Sequence, residues 1–296
     1  MLRKIRKRIT IYLLWIFYGI TYLAPYRVNL FAGAVLGKLA YYILGKYRNI
    51  AYKNINTVLS KNDAGTNDGI IREMFINYGK ILFEFLQLPK LNKNNIGRYV
   101  EIVNEKHFSS AFKKGKGVIL LTAHIGNFEM LGAVVSILGY PLNIMSRQTY
   151  LAELHEMLVK LRTSVGSKLI VRGEPDSARQ ILRALKKNES IGILIDQNIK
   201  SIPGIYANFL GRPAYTPLGL AAIAMKSGCS VVPGFIVRKK DNTHLLEFLP
   251  EVDIIKTGDH ESDIKTNTER FNKIIGMFIQ KYPEQWVWIH KRWDDI

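Results

Sequence analysis

A chain of 296 residues that is 48% hydrophobic can bury an α/β core of one or two domains, which excludes a largely disordered protein. Lysine and arginine total 42 against 24 acidic residues, a net charge of +18, so anionic partners are expected: nucleic acid, phospholipid head groups or an acidic carrier protein. Cys229 is the single cysteine, which excludes an internal disulfide framework and any cysteine-rich zinc or iron–sulfur centre, and fits a reducing compartment.

The chain opens on the basic run MLRKIRKRI, followed by an apolar, aromatic stretch from Thr10 to Ala24 that ends at Pro25. This pattern is that of a membrane anchor with its basic flank on the cytoplasmic side. The run is short of the roughly 20 residues of a perpendicular span, so shallow, monotopic insertion is as compatible as a crossing. Tyr22 and Ala24 before Pro25 make a poor cleavage site, which favours an uncleaved anchor over a signal peptide. A second apolar stretch, Val28 to Leu44, carries Lys38 and several glycines and reads as an interfacial helix. Residues 1–46 are therefore taken as membrane anchor and interfacial helices, and 47–296 as an α/β domain with a helical lead-in.

Helical spacing follows over Asn49 to Leu59 and Ile70 to Leu88, with SKNDAGTND as the loop between them. From Gly117 the pattern changes. Short apolar runs at Val118–Thr122, Leu142–Met145, Lys168–Val171, Ile191–Ile195 and Ser230–Val237 alternate with amphipathic segments at Phe128–Leu138, Leu151–Val165, Ser177–Lys187 and Thr216–Lys226. A last helix is expected over Lys265 to Lys281. Such alternation predicts an α/β fold with a central mixed, largely parallel sheet flanked by helices, behind an N-terminal membrane-anchoring helical region.

In ILLTAHIGNFEML, His124 follows an apolar strand and Glu129 falls near the start of the next helix, with Gly126 permitting a tight turn and Asn127 able to cap that helix. Imidazole supplies a base near neutral pH, and a carboxylate that fixes its tautomer completes a catalytic dyad. A histidine followed five residues later by an acid also occurs at His290 and Asp295, but at the C-terminus and without the strand–turn–helix setting. Asp196, in ILIDQN, lies just past a buried strand, where α/β proteins place functional groups; Gln197 and Asn198 are its weaker companions. Arg212, in FLGRPAYTPLG, is a candidate anion contact in a loop leading to the helix after Thr216. WVWIHKRW reads as a packed strand with an interfacial edge, which places His290 on the structural side. No nucleic-acid fold signature accompanies the basic residues, and Cys229 reads as a small buried core residue.

Four blocks in this order, ILLTAHIGNFEML, ILIDQN, NFLGRPAYTPLGLAAIAMKSGCSVVPGFIVR and YPEQWVWIHKRW, resemble the bacterial lipid A biosynthesis (late) acyltransferases of the lysophospholipid acyltransferase superfamily. The resemblance runs from the basic anchor to the final tryptophans. It implies an acyl carrier protein thioester as donor, a lipid A precursor or related anionic glycolipid as hydroxyl acceptor, and His124 as base assisted by Glu129. It also implies attachment to the cytoplasmic face of the bacterial inner membrane, and neither metal nor cofactor. Arg147 and Arg162 match arginines around that family's substrate groove, where guanidinium groups suit phosphates, and Asp196 and Gln197 gain a substrate-binding role. The alternatives are a hydrolase in which water replaces the acceptor, a lysophospholipid acyltransferase using acyl coenzyme A, and a non-catalytic membrane lipid-binding protein.

Overall fold

The computed structural model describes residues 2–59, 63–147, 149, 151–174 and 176–293, with side chains from residue 12 onward. The basic side chains of the first run, residues 60–62 of the expected loop, and Asp295 lie outside the described residues.

Four helices come first: α1 (Leu2–Leu23), α2 (Tyr26–Ile43), α3 (Gly45–Val58) and α4 (Ala64–Leu86). Strand β1 (Val100–Val103) and α5 (Glu105–Lys113) lead to β2 (Val118–Thr122), α6 (Phe128–Ile137), β3 (Leu142–Ser146), α7 (Ala152–Thr163), β4 (Lys168–Val171), α8 (Ser177–Lys186) and β5 (Ser190–Leu194). After them come the hairpin β6 (Gly204–Phe209) and β7 (Arg212–Pro217), then α9 (Gly219–Ser227), β8 (Ser230–Arg238), β9 (His244–Phe248) and α10 (His260–Lys281).

The main sheet has seven strands in the order β1-β9-β8-β2-β5-β3-β4. All neighbours are parallel except β8 and β9. Every residue of β2 and of β8 is buried, because helices cover both faces and leave no strand side for water. One core joins α5, α6 and α7 to the face carrying Leu120 and Val232, and the other joins α8, α9 and α10 to the face carrying Ile119 and Ile193.

The mixed, largely parallel sheet agrees with the expected one; several boundaries differ. The helix expected from Thr216 starts at Gly219, because Thr216 and Pro217 pair with Ile205 and Gly204 in the β6–β7 hairpin. A two-stranded ribbon tolerates proline on its edge. The closing WVWIHKRW is not a strand with an interfacial edge: Trp286 makes a single bridge to Ile125, and Trp286, Trp288 and Trp293 are all buried.

One irregularity of the sheet matters for function. Strand β5 stays paired with β2 as far as Thr122 and Leu194, but its pairing with β3 stops at Ile144 and Gly192. Strand β3 continues with β4 to Ser146 and Val171. The sheet therefore parts between β3 and β5 at its carboxyl edge.

At the N-terminus, α2 crosses α4 with backbones touching at Gly33, Gly37 and Gly79. A Cβ placed on Gly79 would fall 2.0 Å from the Gly33 carbonyl oxygen, so only glycine permits the approach. Gly79→Ala should destabilise the protein by about 1–3 kcal/mol through overpacking, although alanine is the better helix former. Gly69→Ala in the same helix, where a Cβ meets open space, should be neutral or stabilising. Denaturant midpoints of the two variants check this opposition.

The helices α1 and α2 expose large apolar side chains, including Ile20 at 65% and Phe31 at 72%. Among the described residues no single helix is long and apolar enough to cross a membrane; α2 and α3 together reach that composition but are bent by 86°.

Candidate active site

His124 sits on the turn between β2 and α6, at the carboxyl edge of the sheet. Gly126 has φ +53° and lies against β8 so closely that a Cβ would meet the Ile236 carbonyl oxygen at 1.8 Å. Asn127 caps α6 by accepting a hydrogen bond from the Met130 amide at 3.0 Å, and its amide donates to Glu84 Oε2 at 2.8 Å. The His124 carbonyl accepts from the Tyr78 hydroxyl at 3.1 Å and from the Val287 amide at 3.2 Å. The turn is thus tied to α4, β8 and the C-terminal segment, which fixes where the imidazole points.

The carboxylate that meets this imidazole is Asp196. His124 Nδ1 is 2.9 Å from Asp196 Oδ1, and Oδ2 accepts from the His124 backbone amide and from Trp286 Nε1, each at 2.8 Å. Asp196 is fully buried. Burial alone would raise its pKa, but the charge and hydrogen bond of His124, with the bonds from Trp286 and the backbone, hold the carboxyl down to about 2. An ionised Asp196 keeps the proton on Nδ1 and leaves Nε2, facing the cleft, as the basic nitrogen.

Glu129 does not take the orienting position expected from its spacing. Its two oxygens accept from Arg162, Nε at 2.9 Å and a terminal nitrogen at 2.5 Å, while Arg162 also donates to Ser146 Oγ at 3.0 Å. The physical reason is topological: β2 and β5 are neighbours, so the residue two past β5 reaches the residue two past β2, whereas Glu129 on the first turn of α6 faces α7. Both Glu129 and His124 line the same cleft.

That cleft, about 310 Å³, opens where β3 and β5 part. It draws Leu120, Leu131 and Gly132 from one face of the sheet and Ile193, Leu220 and Ile223 from the other. Arg147, Arg162, Arg172 and Gln197 also line it. Arg172 was not singled out in the sequence; burial, then the neighbouring charge of Arg147, lower its pKa, so the two form a close cationic pair. Arg212 is exposed at the tip of the β6–β7 hairpin and is not among the lining residues. The hairpin takes the place of the loop in which it was expected.

His290, assigned above to structure, lies beside the site. Gln197 Nε2 donates to His290 Nε2 at 2.7 Å, and its ring centroid is 6.0 Å from that of His124. Burial and the His124 charge push its pKa down to about 4, against the opposing pull of Asp196. His290 is therefore neutral at pH 7 and adds no positive charge next to the base.

The site thus combines a carboxylate–imidazole pair with an apolar cleft that arginines also line. The family described as bacterial lipid A biosynthesis acyltransferase matches residues 2–295. The chain belongs to this family. It is similar to the lipid A biosynthesis palmitoleoyltransferase of Escherichia coli, at 25% identity over 95% of this chain and 90% of the relative. The phosphatidylinositol mannoside acyltransferase of Mycolicibacterium smegmatis is 23% identical over 81% of this chain and 78% of its own. The lipid A biosynthesis acyltransferase of Haemophilus influenzae is 22% identical over 90% and 81%. The protein is an acyltransferase.

Proposed function

We propose that this acyltransferase moves a fatty acyl group from an acyl carrier protein thioester to a hydroxyl of a lipid A precursor or a related anionic glycolipid. His124 Nε2 takes the proton of the acceptor hydroxyl as its oxygen attacks the thioester carbonyl; the tetrahedral intermediate then expels the carrier thiolate, which recovers the proton from the imidazolium. The observation carrying this reading is the His124 Nδ1–Asp196 hydrogen bond of 2.9 Å, which sets the tautomer and stabilises the imidazolium. The Arg162–Glu129 pair holds the wall of the cleft at Ser146 and presents charge to the substrate. Arg147 and Arg172 at the rim suit the phosphates of a glycolipid or of a carrier arm, and the +18 charge favours association with acidic carriers.

The sugar is supported by the lipid A biosynthesis relatives of Escherichia coli and Haemophilus influenzae. The mannoside acyltransferase likeness, comparable in identity, keeps a phosphatidylinositol mannoside as the second acceptor reading. Purified full-length protein in detergent, given each donor with each acceptor and read by product mass, tests both. Ester formed on the lipid A precursor from the carrier thioester is the expected result. Transfer only from acyl coenzyme A to a lysophospholipid would overturn the substrate assignment, and free fatty acid alone would overturn transfer in favour of hydrolysis.

The exposed apolar faces of α1 and α2 support seating on a membrane surface, and the basic run that precedes them suits the cytoplasmic face of the inner membrane. Glutamine at Ile16, Ile20, Phe31 and Val35 together should lower partition onto anionic lipid vesicles by about tenfold or more, given about 1.5–3 kcal/mol for each fully buried large apolar side chain. Flotation of folded protein with such vesicles measures it; unchanged flotation would remove the anchor from these helices.

A further inference from the structure

Thr122 is 3% exposed, yet its hydroxyl has no hydrogen-bond partner. It lines the cleft, two residues before His124, or about 7 Å along an extended chain. Strand threonines usually satisfy the hydroxyl with water or a neighbouring carbonyl, and a buried one left unpaired is disfavoured relative to the isosteric valine. The flanking groups of its own strand and of the paired strand, Leu120 and Leu194, are apolar and offer nothing to bond. An unpaired donor at this point is explained by a polar atom that arrives with the substrate.

On the acyl-transfer reading above, the polar atom of the acyl group that comes closest to His124 Nε2 is the carbonyl oxygen, since its carbon is the one attacked. The guanidinium of Arg162 is already engaged by Glu129 and Ser146. We infer that the Thr122 hydroxyl is a catalytic residue, donating to the acyl carbonyl oxygen and stabilising it as it becomes an oxyanion. A donor held in place by its strand before the reaction needs little reorganisation when the charge develops, so its contribution falls on the chemical step. The alkyl chain then continues past Thr122 into the apolar floor formed by Leu120, Gly192 and Ile144, two paired rows deeper in the sheet. Gly192 leaves room there: a Cβ on it would have no neighbour nearer than 3.9 Å.

The test compares full-length wild type, Thr122→Val and Thr122→Ser in detergent. Donors are acyl carrier protein thioesters of one chain length, plain and 3-hydroxylated, with a lipid A precursor as acceptor. Valine should lower kcat by about 10²-fold with KM changed less than about twofold, serine should restore most of the rate, and the thermal midpoint of the valine variant should equal or exceed wild type. An unchanged kcat in Thr122→Val overturns the inference, as does a lowered midpoint with activity lost only in proportion to unfolded protein. A loss confined to 3-hydroxyacyl donors also overturns it and moves the hydrogen bond to the chain hydroxyl. Wild type that transfers nothing from any donor sinks the functional reading itself, a result distinct from these.

Discussion

His124→Ala should abolish nearly all acyl transfer, with kcat lower by about 10³–10⁴-fold, the upper range for removal of a general base. The loss should fall on kcat because, in the proposed mechanism, Nε2 acts on the acceptor proton while the cleft and its arginines hold the substrates. Glu129→Gln should divide its effect differently. It leaves the His124–Asp196 pair intact but loosens the bidentate hold that fixes Arg162 against Ser146, so the arginine loses its position and KM for the anionic substrate should rise along with any fall in kcat. Steady-state kinetics on folded variants separate the two, and a His124→Ala enzyme with substantial turnover would end the proposed mechanism. The same substitution has a signature in stability. Asp196 has a depressed folded pKa, about 2, against roughly 3.9 in an unfolded chain. Its contribution is therefore complete above about pH 4 and is lost as pH falls toward 2. Alanine removes the largest stabiliser of that carboxylate, so wild type should be more stable than His124→Ala at pH 7, and the gap should narrow below about pH 4. Thermal midpoints across that range measure it.

The parts of the fold legible in the sequence were those written in local pattern. Buried strands such as Val118–Thr122 are unbroken apolar runs, and the glycine and asparagine of HIGN mark a tight turn into a helix. Strands β1 and β9, VEIV and HLLEF, are short and alternate with polar residues, so nothing in their composition distinguishes them from loop. The candidate site divides along the same line. His124 could be picked out because strand, turn and helix surround it within a dozen residues. Its partner could not be picked out by spacing, since Asp196 is 72 residues away and reaches it only because β5 lies beside β2 in the sheet. Glu129 matched the spacing but faces α7, where Arg162 occupies it. Trp286 and His290 come from a segment whose buried aromatics read as packing; that they also pack against the site depends on where the chain end is laid down, which no local pattern encodes.

Asp196→Asn should be almost as damaging as loss of the histidine, by on the order of 10³–10⁴-fold in kcat, the scale of a mis-set tautomer in a hydrolase triad. Asp196 Oδ2 accepts from two N–H groups, the His124 amide and Trp286 Nε1. In asparagine that position must remain the carbonyl oxygen, because an amide nitrogen there would face two donors. The side-chain NH₂ is then turned toward His124 Nδ1, which must accept instead of donate. The imidazole proton moves to Nε2, the nitrogen that has to be free to take the acceptor's proton. Size and both remaining hydrogen bonds are preserved, so the variant should fold and bind substrate with KM close to wild type. Rate should recover partly as pH rises, where deprotonated acceptor no longer needs the base. A pH–rate profile of folded Asp196→Asn beside wild type reads this directly; a kcat within tenfold of wild type at neutral pH would show that Asp196 holds the turn in place without setting the tautomer.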